Sequence, residues 1–117
     1  MSIFISGLVV AHNEEQKIED ALKSLDFCDE IVVVLDNCTD GTEDICKKYT
    51  KNITKGTWPI EGERRAIGIE ACKGKWIVEL DADERVSEAL KRELQHTLKD
   101  APDGYFQTPI DNLSLIH

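Results

Sequence analysis

Three short apolar runs, each broken off by a polar, acid-rich cluster, limit what this chain can fold into. Ile5-Ser6-Gly7-Leu8-Val9-Val10-Ala11 leads into His12-Asn13-Glu14-Glu15. Glu30-Ile31-Val32-Val33-Val34-Leu35 leads into Asp36-Asn37-Cys38-Thr39-Asp40, and Lys75-Trp76-Ile77-Val78-Glu79-Leu80 into Asp81-Ala82-Asp83-Glu84. None of the runs alternates apolar with polar, which is the pattern of strands covered on both faces. The segments between them have helical spacing. Ile18, Ala21, Leu22 and Leu25 recur at i, i+3, i+4 and i+7, with Asn13 and Gln16 placed as a cap and its return partner. A short helix with Ile45 and Tyr49 inward follows the second run, and Asn52-Ile53-Thr54 reads as a short strand. Residues 61–73 read as a helix closed by a left-handed Gly74. Ser87 opens a last helix with Leu90, Leu94 and Leu98 inward, and Asp103-Gly104 turns into a strand at Tyr105-Phe106-Gln107.

Strand and helix therefore alternate from end to end. That order predicts an α/β fold, a mostly parallel sheet with helices on both faces. At 117 residues the chain is read as a single domain, 1–117, with no linker and no internal repeat. Its 14 Lys and Arg against 23 Asp and Glu give a net charge of −9, which argues against sequence-independent binding to nucleic acid. No segment approaches the roughly 20 apolar residues that span a bilayer. Met1 to Ile5 lacks a basic start and long apolar run, so a cytoplasmic location is expected. Cys28, Cys38, Cys46 and Cys72 form no Cys-x-x-Cys pair and are read as reduced thiols.

In an open parallel sheet, ligands bind beyond the carboxyl ends of the strands. The three polar clusters stand there, so the topology gathers them at one edge. Asp81 and Asp83 are the sharpest pair. Two carboxylates so close repel one another, and a divalent cation relieves the repulsion. Mg²⁺ or Mn²⁺ suits such oxygens and completes its shell with substrate phosphates and water. The competing reading is a solvated acidic turn. Glu14 and Glu15 could equally favour a helix dipole, and Asp40 could simply cap a helix. Arg64 and Arg65 could be solvated at a helix start, while Trp58 and Trp76 read as packing residues.

In order and spacing, Val9-Val10-Ala11-His12-Asn13-Glu14-Glu15, Ile31 to Thr42, and Trp76 to Arg85 resemble the family 2 glycosyltransferases over about residues 4 to 110. The stretch from Trp58-Pro59 to Arg65 is closest to the lipopolysaccharide core and related bacterial cell-surface glucosyltransferases. The resemblance implies a GT-A fold that binds a nucleotide-diphosphate sugar, usually UDP-linked. It implies that Ala11, Asn13 and Glu14 line base and ribose, that Asp36 holds the base, and that Arg65 lies near the nucleotide. It places Asp81 near ribose and metal, and Asp83 on the metal at the diphosphate. The acceptor implied is a cell-envelope saccharide or lipid-linked glycan, reached at the inner face of the plasma membrane, with peripheral membrane association. The inverting base is expected beyond His117, since Asp111 is the only acid after the last strand and nothing marks it as a base. On this reading the chain is a donor-binding half, and the open sheet edge after Tyr105 leads to an expectation of self-association.

Three other classes compete with this reading. A phosphoacceptor receiver needs a Lys after its last strand, and none lies beyond Lys99. No Gly-x-Gly-x-x-Gly follows the first strand, which removes a dinucleotide-binding domain. A non-catalytic nucleotide-binding remnant is the third.

Overall fold

The computed structural model describes residues 5–99 and 104–107. Five strands and four helices alternate: β1 (Ile5–Ala11), α1 (Ile18–Ser24), β2 (Glu30–Asp36), α2 (Thr42–Cys46), β3 (Asn52–Gly56), α3 (Glu61–Ala71), β4 (Trp76–Asp81), α4 (Glu88–Lys99) and β5 (Gly104–Gln107). All strand pairs are parallel, in the order β3-β2-β1-β4-β5. This is the expected α/β architecture. The side chain of Leu98, and Asp111, lie outside what is described.

The two faces of the sheet are covered unequally. On one face Val9, Val33, Val78 and Leu80 pack with Ile18 and Leu22 of α1, Cys46 of α2, and Leu90 and Leu94 of α4. On the other, Leu8, Val32 and Val34 are fully buried, with Ala71 of α3 and Trp58 packed against them. Unbroken apolar strands are the direct consequence, because both side-chain rows of β2 must leave water.

Several local expectations change. Gly74 does not adopt a left-handed conformation, since no described glycine has positive φ. Helix α3 instead ends with Cys72 extended, and Gly74 is small because a Cβ there would sit 2.7 Å from Ser6 Oγ and 2.8 Å from Ser6 N. The Gly74 N–H and Lys73 N–H are engaged by Ser6 Oγ (2.8 Å) and Glu30 Oε2 (2.6 Å), which pins the turn to the sheet. Lys91 lies on the exposed side of α4 by sequence spacing, yet its side chain is only 12% exposed and bridges Asp26 (2.9 Å) and Glu88 (3.3 Å). Ser87 caps α4 as expected, its Oγ accepting from Leu90 N–H at 3.1 Å.

Candidate functional site

The strand registers bring three strand ends level. Ala11 lies opposite Leu35, and Val10 lies opposite Asp81. Asp36 is one residue beyond Leu35. With strands about 4.8 Å apart, Asp36 and Asp81 flank the end of β1 across roughly 10 Å. Here β1 sends the chain to β2 on one side and receives β4 on the other, the strand reversal that opens a crevice in such sheets.

The loops after β1 and β2 are bonded to each other. Asn13 Oδ1 accepts from Thr39 N–H (2.7 Å) and Asp40 N–H (3.3 Å). Thr42 Oγ1 accepts from Glu14 N–H at 2.9 Å, and Glu15 Oε2 accepts from Gly41 N–H at 3.0 Å. His12 Nδ1 lies 2.7 Å from the Asp36 carbonyl oxygen. The Cys38 thiol donates to the Ala11 carbonyl oxygen at 3.6 Å. Asn13 and Asn37 hold positive φ, 49° and 52°. Asparagine tolerates that region better than other non-glycine residues. These bonds correct the helix start: Asn13 caps no helix, and α1 begins only at Ile18, without a side-chain cap. Glu14 and Glu15 therefore precede the helix, and their N–H groups and Glu15's carboxylate tie to the second loop.

Asp36 is 8% exposed and both its oxygens are engaged. Arg64 Nη1 donates to Oδ2 at 2.6 Å, and Trp58 N–H donates to Oδ1 at 3.2 Å. The Arg64 guanidinium, more than the Trp58 amide, holds the Asp36 carboxyl below the usual aspartate range. Arg65 meets a different partner: its Nη2 donates at 2.9 Å to Glu79, a carboxylate 3% exposed in the middle of β4. Arg64 thus sits on Asp36, and its neighbour Arg65 reaches across to the strand that ends in Asp81.

Asp81 and Asp83 are exposed, while Ala82 between them is buried. Neither aspartate carboxylate takes a hydrogen bond among the described residues. Glu84 closes the turn, accepting from Asp81 N–H through Oε1 at 3.2 Å, and its own N–H donates to the Asp81 carbonyl oxygen at 2.9 Å. No group of three or more His, Cys, Asp or Glu poised for a metal occurs among the described residues. Two exposed, unengaged carboxylates still suit a cation that takes the rest of its shell from a diphosphate. A polar pocket of about 200 Å³ involves Asn13, Glu14 and Asp40, and another of about 250 Å³ lies beside Asn37, Cys38 and Thr57. The thiols are ordinary packing groups: burial pushes Cys46 and Cys72 up to about 12 and raises Cys38.

An all-parallel α/β sheet whose reversal point carries polar loops defines a ligand-binding domain of the Rossmann-like class. Residues 6–112 match the profile of glycosyl transferase family 2, and the chain belongs to that family. It is 34% identical to the lipopolysaccharide core biosynthesis glycosyltransferase LpsC of Rhizobium meliloti, over 80% of this chain and 37% of that protein. Among solved structures it resembles Staphylococcus aureus TarS 1–349 in complex with UDP, with TM-score 0.63, 26% identity, and coverage of 80% of this chain and 31% of that one. It also resembles the UDP complex of Mycobacterium tuberculosis glucosyl-3-phosphoglycerate synthase, with TM-score 0.62, 25% identity, and coverage of 70% and 34%. The GT-A-type fold expected from the sequence is the one observed. The chain spans about a third of the length of the curated relatives it matches. No helix among the described residues is long and apolar enough to cross a membrane.

Proposed function

We propose that this chain is the donor-binding part of a glycosyltransferase that moves a sugar from a UDP-linked donor to a saccharide or lipid-linked acceptor of the cell envelope. The observation that carries the reading is the level meeting of three polar strand ends, at Ala11, Asp36 and Asp81, on adjacent strands. The part LpsC plays in lipopolysaccharide core biosynthesis and the UDP held by TarS support the same reading.

In this reading the base and ribose lie along the Ala11–Glu14 loop. Asp36 serves base recognition as half of a fixed ion pair with Arg64. Arg65, held by Glu79, keeps a cationic group near the nucleotide. Asp81 faces ribose and metal, and Asp83 with Asp81 holds Mg²⁺ or Mn²⁺ at the diphosphate. Such a cation supplies charge neutralisation for the departing diphosphate. Transfer is inverting, and the described residues are assigned donor and metal binding, not the role of general base. A lipid-linked acceptor places the reaction at the cytoplasmic face of the plasma membrane, with the protein associated peripherally.

Calorimetry with UDP and Mn²⁺ tests the donor site. The expected result is binding that Asp83→Ala weakens by at least about tenfold, the scale of losing a charge-assisted contact. Absence of heat with the unaltered protein, or equal heat in the variant, removes the proposal. Release of glucose from UDP-glucose then separates catalyst from binder.

A further inference from the structure

We infer that Glu84 is a positioning residue for the acidic turn, setting Asp81 and Asp83 for a cation without itself being a ligand. The inference rests on the donor-site reading above and extends it to a residue outside the proposed ligand set.

The turn from Asp81 to Glu84 is closed from both directions. Glu84 N–H donates to the Asp81 carbonyl oxygen, and Glu84 Oε1 accepts from Asp81 N–H. Ala82 is 4% exposed and Val86 3%, so the core grips the turn on either side of Asp83. Val86 N–H also donates to Ser24 Oγ at 2.9 Å, tying the segment to α1. The two aspartates are left in solvent while Glu84 folds back: its Oε2 is buried and accepts no hydrogen bond among the described residues.

A merely solvated acidic turn would send all three carboxylates outward. Burying one carboxylate oxygen beside two like charges is unfavourable on its own, and local arrangements that oppose stability gather where function requires them. What the arrangement gives is a fixed backbone between two cation-binding side chains. Groups that orient metal ligands typically change affinity by about 10- to 100-fold when removed.

The test compares unaltered protein, Glu84→Ala and Glu84→Gln, each titrated with UDP in EDTA and in Mn²⁺, with melting temperature recorded. Glutamine can still accept from Asp81 N–H through its carbonyl oxygen; alanine cannot. The expected outcome is that Glu84→Ala cuts the Mn²⁺-dependent gain in UDP affinity by about 10- to 100-fold. Affinity in EDTA and melting temperature should stay near the unaltered values, and Glu84→Gln should restore most of the gain. A full gain in Glu84→Ala overturns the inference. So does a Glu84→Gln variant as weak as alanine, because the role would then be one of charge. An equal loss in EDTA and in Mn²⁺ with a lowered melting temperature also overturns it, since the role would then be structural. If the unaltered protein binds UDP no better with Mn²⁺ than with EDTA, the metal-site reading itself fails, and this inference with it.

Discussion

Asn13 and Asn37 each follow a strand, and each takes a backbone conformation that costs most side chains roughly 1–2 kcal/mol. Asn13 recovers that cost through the two N–H groups its Oδ1 engages. Asn13→Ala loses both bonds and keeps the strain, whereas Asn13→Gly loses the bonds alone. Thermal unfolding should therefore find alanine the more damaging of the two by about 1 kcal/mol. The ion pair of Asp36 and Arg64 makes a second residue-level prediction. The folded Asp36 carboxyl lies below its ordinary value of 3.8, so the unfolded chain takes up that proton more readily. The pair's stabilisation is complete above that ordinary value and is lost as pH falls through the lower folded one. Asp36→Asn should cost about 1–3 kcal/mol at neutral pH, and the difference from the unaltered protein should shrink below about pH 3.8 in denaturant titrations. Little of this was legible beforehand. Asn13 carries a local capping pattern, but its real partners are 26 and 27 residues away, and no local signal reports them. Arg64 and Arg65 differ by one step of about 100° around α3, so which one reaches Asp36 depends on the helix phase against β2, fixed only by packing.

Helix α3 is the one described helix that packs on its face of the sheet, and it does so through Gly68. A Cβ at Gly68 would come within 2.7 Å of Leu8 Cδ1 and 3.0 Å of Val34 Cγ2, both on fully buried side chains. Gly68→Ala should lift the helix and cost about 1–3 kcal/mol, and it should weaken UDP binding because Arg64 and Arg65 ride on the same helix. Gly62, six residues earlier, is exposed and has nothing within 4 Å of such a Cβ. Gly62→Ala should stabilise by about 0.5–1 kcal/mol in the same melts. The elements themselves were legible, because burial on both faces leaves an unmistakable apolar run in β1, β2 and β4. Their ends were less so. Sequence spacing extended α3 to residue 73, but Lys73 and Gly74 give their N–H groups to Glu30 and Ser6 on distant strands, which stops the helix two residues early.

At the scale of the molecule, the proposed donor site asks a chain of net charge −9 to accept an anionic diphosphate. Repulsion from the whole surface is screened over about 10 Å at 0.1 M salt. UDP affinity in EDTA should therefore rise with added NaCl, the reverse of a basic nucleotide binder, and the slope should flatten in Mn²⁺. A falling affinity in EDTA would show that Arg64 and Arg65 outweigh the net charge. The polar edge was readable from the strand order, since parallel neighbours end on the same side; the bonding between its loops was not. If these loops hold the donor as proposed, that bonding constrains any attempt to alter donor choice. Residues 13–15 and 38–42 share their hydrogen bonds across two separate crossings of the sheet, so transplanting either segment alone from a relative strands the other's N–H groups. The two must be grafted together, and natural exchange of donor preference in this fold should leave paired substitutions in both.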